Sequence, residues 1–190
     1  EPRFIHHSYA CRRGKGTHRA LRQFIAWARS SRYVLKMDIR KCFPSIDHQV
    51  LRQQIRRVIK DRDVLRLCDA IITGSGPQEP VVQYFPGDDL LTPVSRRRGI
   101  PIGNLTSQFF ANVYLDPLDH FVKETLRVRH YLRYMDDFIL LLDGRDEARV
   151  ALAEVEGFLQ ARLRPRLNPR RVILAPLTCA RDVLGYVHHA

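Results

Sequence analysis

No apolar run in the 190 residues approaches the ~20 needed to cross a bilayer as a helix. The longest, around Phe138 to Leu142, has the length of a strand. The opening residues EPRFIHHSYACRRGKG contain no apolar h-region, so no signal peptide is expected. Acid is scarce: 20 Asp+Glu stand against 32 Lys+Arg, a net charge of +12. A chain of that balance meets a polyanion or carries a solvated basic surface, and the balance alone does not separate the two. The four cysteines, Cys11, Cys42, Cys68 and Cys179, lack metal-finger spacing and point to a reducing compartment, with the thiols in or near the core. There are no repeats or low-complexity segments. The 45% hydrophobic content permits one real core, in one domain or one large piece of a bigger protein.

Apolar periodicity gives the order of elements. Helices are expected over about 19–29, 47–59 (with Asp47 as its cap), 63–73 and 146–163. A long amphipathic stretch runs over 106–126, where Pro117 should kink or divide the helix. Strands are expected at 33–39, on both sides of 136–137, near 172–175 and at 182–187. Residues 74–80 are a breaker, and 81–98 form a hairpin or irregular arm with a basic end. This order makes the fold α+β, an antiparallel sheet with helices packed on one face.

Residues 131–142, YLRYMDDFILLL, place two carboxylates between apolar runs. Alternation along a strand cannot aim Asp136 and Asp137 at one point, so a tight turn must redirect at least one. Asp38, ending the 33–39 strand, would join them if that strand lay alongside. Carboxylates so gathered repel unless a cation sits among them. Mg²⁺ suits all-oxygen ligands and phosphate substrates, and two such ions clamp a phosphoryl displacement. In a basic chain that implies nucleotidyl transfer or nuclease chemistry. The plain alternative is a hairpin tip and a strand end that happen to carry Asp.

The motifs decide between these by resemblance. YMDD (134–137), KMDIRKCF (36–43), RGIPIGNLTSQFFANVYL (98–115), LNPRRV (167–172) and VLGY (183–186) resemble, in order, the palm motifs of reverse transcriptases. SYACRRGKGTHRAL (8–21) resembles a segment of group II intron and related bacterial enzymes. The run Ile102 to Gln108 has the I-G-x-x-x-S-Q form of diversity-generating retroelements, the favoured branch; retrons, intron maturases and unclassified bacterial reverse transcriptases remain open.

The resemblance implies a right-hand polymerase palm over 33–190, with 74–103 as an insertion, and partial fingers over 1–32. No thumb is expected after Tyr186. It implies a cytoplasmic, bacterial or phage-encoded RNA-directed DNA polymerase using two Mg²⁺ ions, with Mn²⁺ as a substitute. Asp38, Asp136 and Asp137 would be catalytic and hold the metals, with the Ile39 carbonyl as a further ligand. Phe43 would exclude a 2′-hydroxyl, and Ile102, Gly103 and Gln108 would line the nucleotide and template pocket. Arg171 stands where the family often has lysine and would stabilise charge. Arg12, Arg13, Lys15, Arg96, Arg97 and Arg98 would contact phosphates, with Tyr134 and Met135 near the primer end. Implied partners are an RNA template, a DNA or RNA primer, dNTPs and a small basic accessory protein, without a membrane. The rivals are an RNA-dependent RNA polymerase on the same palm and a catalytically incompetent palm that binds RNA as a scaffold.

Overall fold

The computed structural model describes residues 3–75, 84–85, 88–179, 182–183 and 186–187. Its centre is a four-stranded antiparallel sheet in the order β2-β3-β1-β4: β1 is Tyr33–Asp38, β2 His130–Tyr134, β3 Asp137–Leu142 and β4 Ile173–Pro176. β1 pairs along its whole length with β3, from Tyr33 opposite Leu142 to Asp38 opposite Asp137.

Side-chain alternation divides the sheet into two faces. Leu35, Met37, Tyr131, Phe138, Leu140 and Leu142 point one way, into the main core. That core is closed by α3 (His48–Val58), α6 (Leu105–His120) and α7 (Arg145–Phe158). Val34, Leu132, Ile139 and Leu141 point the other way, onto Ala20 and Phe24 of α1 (Thr17–Ala28). The helices that follow β1 thus share one face, as the pattern predicts, while α1 covers part of the second. Lys36 and Asp38 lie on this second face with Val34. The short α2 (Cys42–Ser45) follows β1, and α4 (Arg62–Gly74) packs on α3.

Helix starts are written in the sequence. The Asp47 carboxylate accepts from the amides of Gln49 (2.9 Å) and Val50 (3.1 Å), Asp61 does the same for α4, and Asn104 accepts from Thr106 at α6. Each cap is worth about 1 kcal/mol. Pro117 does not divide α6; the helix continues to His120 and then widens into a π-type turn over Phe121–Thr125. α7 likewise ends in a π-type turn, Leu159–Leu163, closed by Arg164 at φ 74°. The 146–163 helix of the sequence reading is therefore two pieces.

Within 81–98, residues 81–83 and 86–87 lie outside the described residues, and Thr92–Ser95 form a one-turn helix, α5. The expected 182–187 strand is two short ones, β5 (Asp182–Val183) and β6 (Tyr186–Val187), paired antiparallel. Cys11 is exposed rather than near the core, Cys68 half-buried and Cys42 buried. Among the described residues no helix is long and apolar enough to cross a membrane.

The N-terminal segment is bound to the sheet. The Arg133 amide donates to the His7 carbonyl (3.0 Å) and the Tyr9 amide to the Arg133 carbonyl (2.9 Å), so residues 7–9 line the outer edge of β2. A parallel path beside an antiparallel hairpin is not visible in the pattern of residues 3–10.

Candidate active site

Strand pairing brings the three aspartates to one end of the sheet. Tyr134 pairs with Asp137, leaving Met135 and Asp136 as the connecting turn. Met135 takes φ 57°, a left-handed conformation that a side-chain-bearing residue adopts only under constraint. The turn thereby does what the sequence required, redirecting one of the adjacent acids. The Ile39 amide donates to the Asp136 carbonyl (3.3 Å), tying the end of β1 to the turn.

The three carboxylates have different surroundings. Asp38 is buried, and its oxygens accept from Asn168 Nδ2 (3.3 Å) and Arg171 Nη1 (3.2 Å). Asn168 is placed by its own amide, which donates to the Asp38 carbonyl (2.8 Å). Asp137 lies 3.9 Å from Lys36 Nζ on the same face. Asp136 is half-buried, and burial pushes its carboxyl upward, reinforced by the negative charges of Asp38 and Asp137. Among the described residues no three His, Cys, Asp or Glu side chains form a ready metal cage. Asp38 leans on Arg171 and Asp137 on Lys36. Mg²⁺ does not need such a cage: one or two carboxylates plus waters and substrate oxygens suffice. Three carboxylates gathered at one end of the sheet are a donor set of oxygens that fits a hard divalent cation.

Behind the turn lies a polar network that sequence reasoning missed. Arg133 and Asp119 are fully buried. Arg133 Nε donates to both Asp119 oxygens (2.8 and 3.0 Å) and Nη2 to Oδ2 (2.7 Å). Nη1 donates to Asn112 Oδ1 and to the Met135 carbonyl, both at 2.9 Å, and Nη2 to Ser8 Oγ (3.2 Å). The Tyr131 hydroxyl donates to Asp119 Oδ1 (2.6 Å). The signal available was an arginine inside an apolar strand; its partner, 14 residues earlier on a helix, was not readable.

The other expected site residues fall in several places. Phe43 is half-buried against the main core just beyond β1, and its carbonyl accepts from the Ile100 amide (3.1 Å). Ile102 is exposed, and Gly103 has φ 89° with open space where a side chain would stand. Gln108 Oε1 accepts from the Cys11 thiol (3.0 Å). Tyr134's hydroxyl accepts from Thr17 Oγ1 (2.9 Å). The basic groups divide. Arg12 donates to the Ile5 and Ser8 carbonyls (2.7 and 2.9 Å), and Lys15 to the His6 carbonyl (2.7 Å), while Arg13 is exposed. Of the 96–98 run, only Arg97 is exposed. Arg96 pairs with Asp88 and faces Asp47 (3.7 Å), and Arg98 is buried with its guanidinium 5.5 Å from the Phe85 ring. The fully buried Asp47 that gathers this charge also accepts from Arg164 Nη1 (2.5 Å).

The family model "Reverse transcriptase (RNA-dependent DNA polymerase)" matches residues 2–171. The chain belongs to the reverse transcriptase family. It is 26% identical over 202 aligned residues to the group II intron-encoded protein LtrA of Lactococcus lactis subsp. cremoris, a match covering all of this chain and 31% of LtrA. It is 29% identical over 123 residues to an uncharacterized 91 kDa protein in the cob intron of Schizosaccharomyces pombe, covering 65% of this chain and 14% of that protein. The reverse transcriptase core described here thus spans less than a third of these curated relatives. In fold it is similar to telomerase from Candida tropicalis in complex with the TWJ fragment of telomeric RNA, with a TM-score of 0.63 at 12% identity over 90% of this chain and 30% of that one. A Candida albicans telomerase complex with the same kind of RNA fragment also scores 0.63, over 95% and 32%.

Proposed function

We infer that this reverse transcriptase core is an RNA-directed DNA polymerase, with 33–190 as palm, 74–103 as an insertion and 1–32 as part of the fingers. The observation that supports it most is the cross-strand pairing of Asp38 with Asp137, with Asp136 held in the adjoining strained turn. The primer 3′-oxygen attacks the α-phosphorus of a dNTP, the bond to the bridging oxygen breaks, pyrophosphate leaves, and the hydroxyl proton passes to solvent. Asp38 and Asp136, with the Ile39 carbonyl and support from Asp137, would hold Mg²⁺ or Mn²⁺. Such ions neutralise charge on the attacking and leaving oxygens.

The chain's own residues supply position. Phe43, fixed through the Ile100 amide, sits where a ring excludes a 2′-hydroxyl. Gly103 offers side-chain-free backbone beside the nucleotide, between Ile102 and Gln108. Arg171 bridges Asp38 to solvent and can place charge against a departing phosphate. Met135 and Tyr134 frame the primer end.

The run Ile102–Gln108 supports a diversity-generating retroelement of a bacterium or phage as the source, with a small basic accessory protein as partner. The likeness to LtrA supports a group II intron-type enzyme. Copying of a repeat template in the presence and absence of a co-encoded basic protein separates the two.

The test of function is primer extension by the full-length protein on RNA annealed to a DNA primer, with dNTPs or NTPs and Mg²⁺. Product with dNTPs alone, lost in Asp136→Asn, is expected. An unchanged rate in Asp136→Asn overturns the assignment, and RNA binding without product supports the scaffold reading.

A further inference from the structure

The segment 97–100, which leads into the Ile102–Gln108 run, is stitched to residues 43–48. The Ile100 amide donates to the Phe43 carbonyl (3.1 Å), the Gly99 amide to the Ile46 carbonyl (2.9 Å) and the His48 amide to the Arg97 carbonyl (3.1 Å). Gly99 takes φ 90°, a conformation open to glycine at no steric cost. A side chain joins this seam: His48 is 2% exposed, and its Nε2 lies 2.7 Å from the Gly99 carbonyl oxygen.

A carbonyl only accepts, so Nε2 carries a proton and donates it. Burial pushes the imidazole below its ordinary value, with the Gly99 carbonyl opposing. The ring is therefore neutral, and Nδ1 is its bare nitrogen. Nδ1 is buried and has no hydrogen-bond partner among the described residues. An orphaned buried acceptor weakens a fold, and a leucine would fill the same space without one. What the imidazole supplies in return is one bond, and that bond lands on Gly99.

Both ends of the bond are firmly held. His48 opens α3 beside Asp47, whose carboxylate caps the helix and whose amide donates to the Tyr114 hydroxyl of α6 (3.2 Å). Beyond Gly99, Ile100 is buried in the main core and Pro101 has a fixed φ. The setting of Gly99 thus passes to Ile102 and Gly103 with little slack. Across the seam stands Phe43.

We propose that His48 is a positioning residue that sets the gap between the Phe43 ring and the Gly103 backbone, and with it the choice of deoxynucleotide over ribonucleotide. It touches neither nucleotide nor metal and acts through Gly99. The proposal rests on the polymerase reading and on the nucleotide contacts that reading gives to Phe43 and Gly103.

The test is steady-state extension by the full-length protein on RNA annealed to a DNA primer, with kcat and KM measured for one dNTP and for the matching NTP. His48→Leu should raise the dNTP KM about tenfold, hold kcat to within about twofold and lower the dNTP-over-NTP ratio of kcat/KM about fivefold. A side chain that only supports the fold would instead lower kcat through the active fraction and leave KM and the ratio alone. His48→Gln puts an amide nitrogen near the place of Nε2 and should keep the parent ratio. His48→Asn is one carbon too short and should behave as His48→Leu, so this pair decides the matter even where His48→Leu does not fold. Equal ratios in His48→Gln and His48→Asn, or parent KM and ratio in His48→Leu, overturn the proposal. Absence of product from the unaltered protein overturns the polymerase reading itself, a result distinct from product made with an unchanged ratio.

Discussion

Two acids, one in the turn and one joined to it through Arg133, are treated in opposite ways. Asp119, on the helix-covered face, is fully buried and receives Arg133 through three hydrogen bonds and Tyr131 through a fourth. Asp136, at the turn itself, is half-buried beside two more carboxylates and is pushed toward its neutral form. The first acid has its counter-charge built into the chain. The second has two carboxylates and Arg171 as its charged neighbours and no ion pair of its own among the described residues. The contrast separates an acid that holds a structure from one that is proposed to act in chemistry.

The sharpest way to break that contrast is to exchange the outcomes. Asp136→Asn should reduce primer extension on the order of a thousandfold or more, since it removes a group placed to act only through charge. Its urea midpoint should stay level or rise slightly. Arg133→Met should do the reverse to stability: an uncompensated Asp119 costs about 3–5 kcal/mol, read as a lower urea midpoint at unchanged slope. Arg133→Met/Asp119→Leu should recover most of that loss. If Asp136→Asn unfolds the protein and Arg133→Met does not, the comparison is wrong.

Asp47 tests a second sealed acid. It caps α3 and receives Arg164, with Arg96 nearby. Asp47→Ala should cost about 2–4 kcal/mol by thermal or urea melting, more than an exposed cap.

Asp116 gives the smallest effect and a pH signature. Burial is the main cause that lifts its carboxyl to about 6, against an ordinary 3.8, with His120 3.6 Å away opposing the rise. Because the folded value is raised, the ionised group penalises the fold above pH 6. The penalty is relieved as pH falls from 6 to about 4 and is gone below. Asp116→Asn should therefore be more stable than the parent by roughly 1–2 kcal/mol at pH 8 and no more stable at pH 4, by paired melts.

Local signals in the sequence carried far. Alternation at 33–39 and 131–142, the cap at Asp47 and the periodicity of α1, α3 and α4 agree with the structure to within about two residues. The turn at Asp136 was legible because period-two geometry forbids two adjacent acids from converging without it. What was not legible is long-range. Nothing in the run Arg96–Arg98 says that two of its members turn inward to Asp47 and Phe85. Nothing in residues 7–9 announces that they pair beside β2. Pro117 misled because a proline three residues before a helix end need not break it; the helix runs on to His120 and only then widens into a π-type turn.

The pairing of residues 7–9 with β2 also governs how the protein can be handled. A version beginning after residue 10 would strip the outer strand of its neighbour and leave the Arg133 amide and carbonyl as an open ladder beside an apolar hairpin. Such an edge recruits further copies. A trimmed fragment should self-associate in a concentration-dependent way even where its interior is intact, and a tag or fusion joint belongs ahead of the Arg3 region rather than within it.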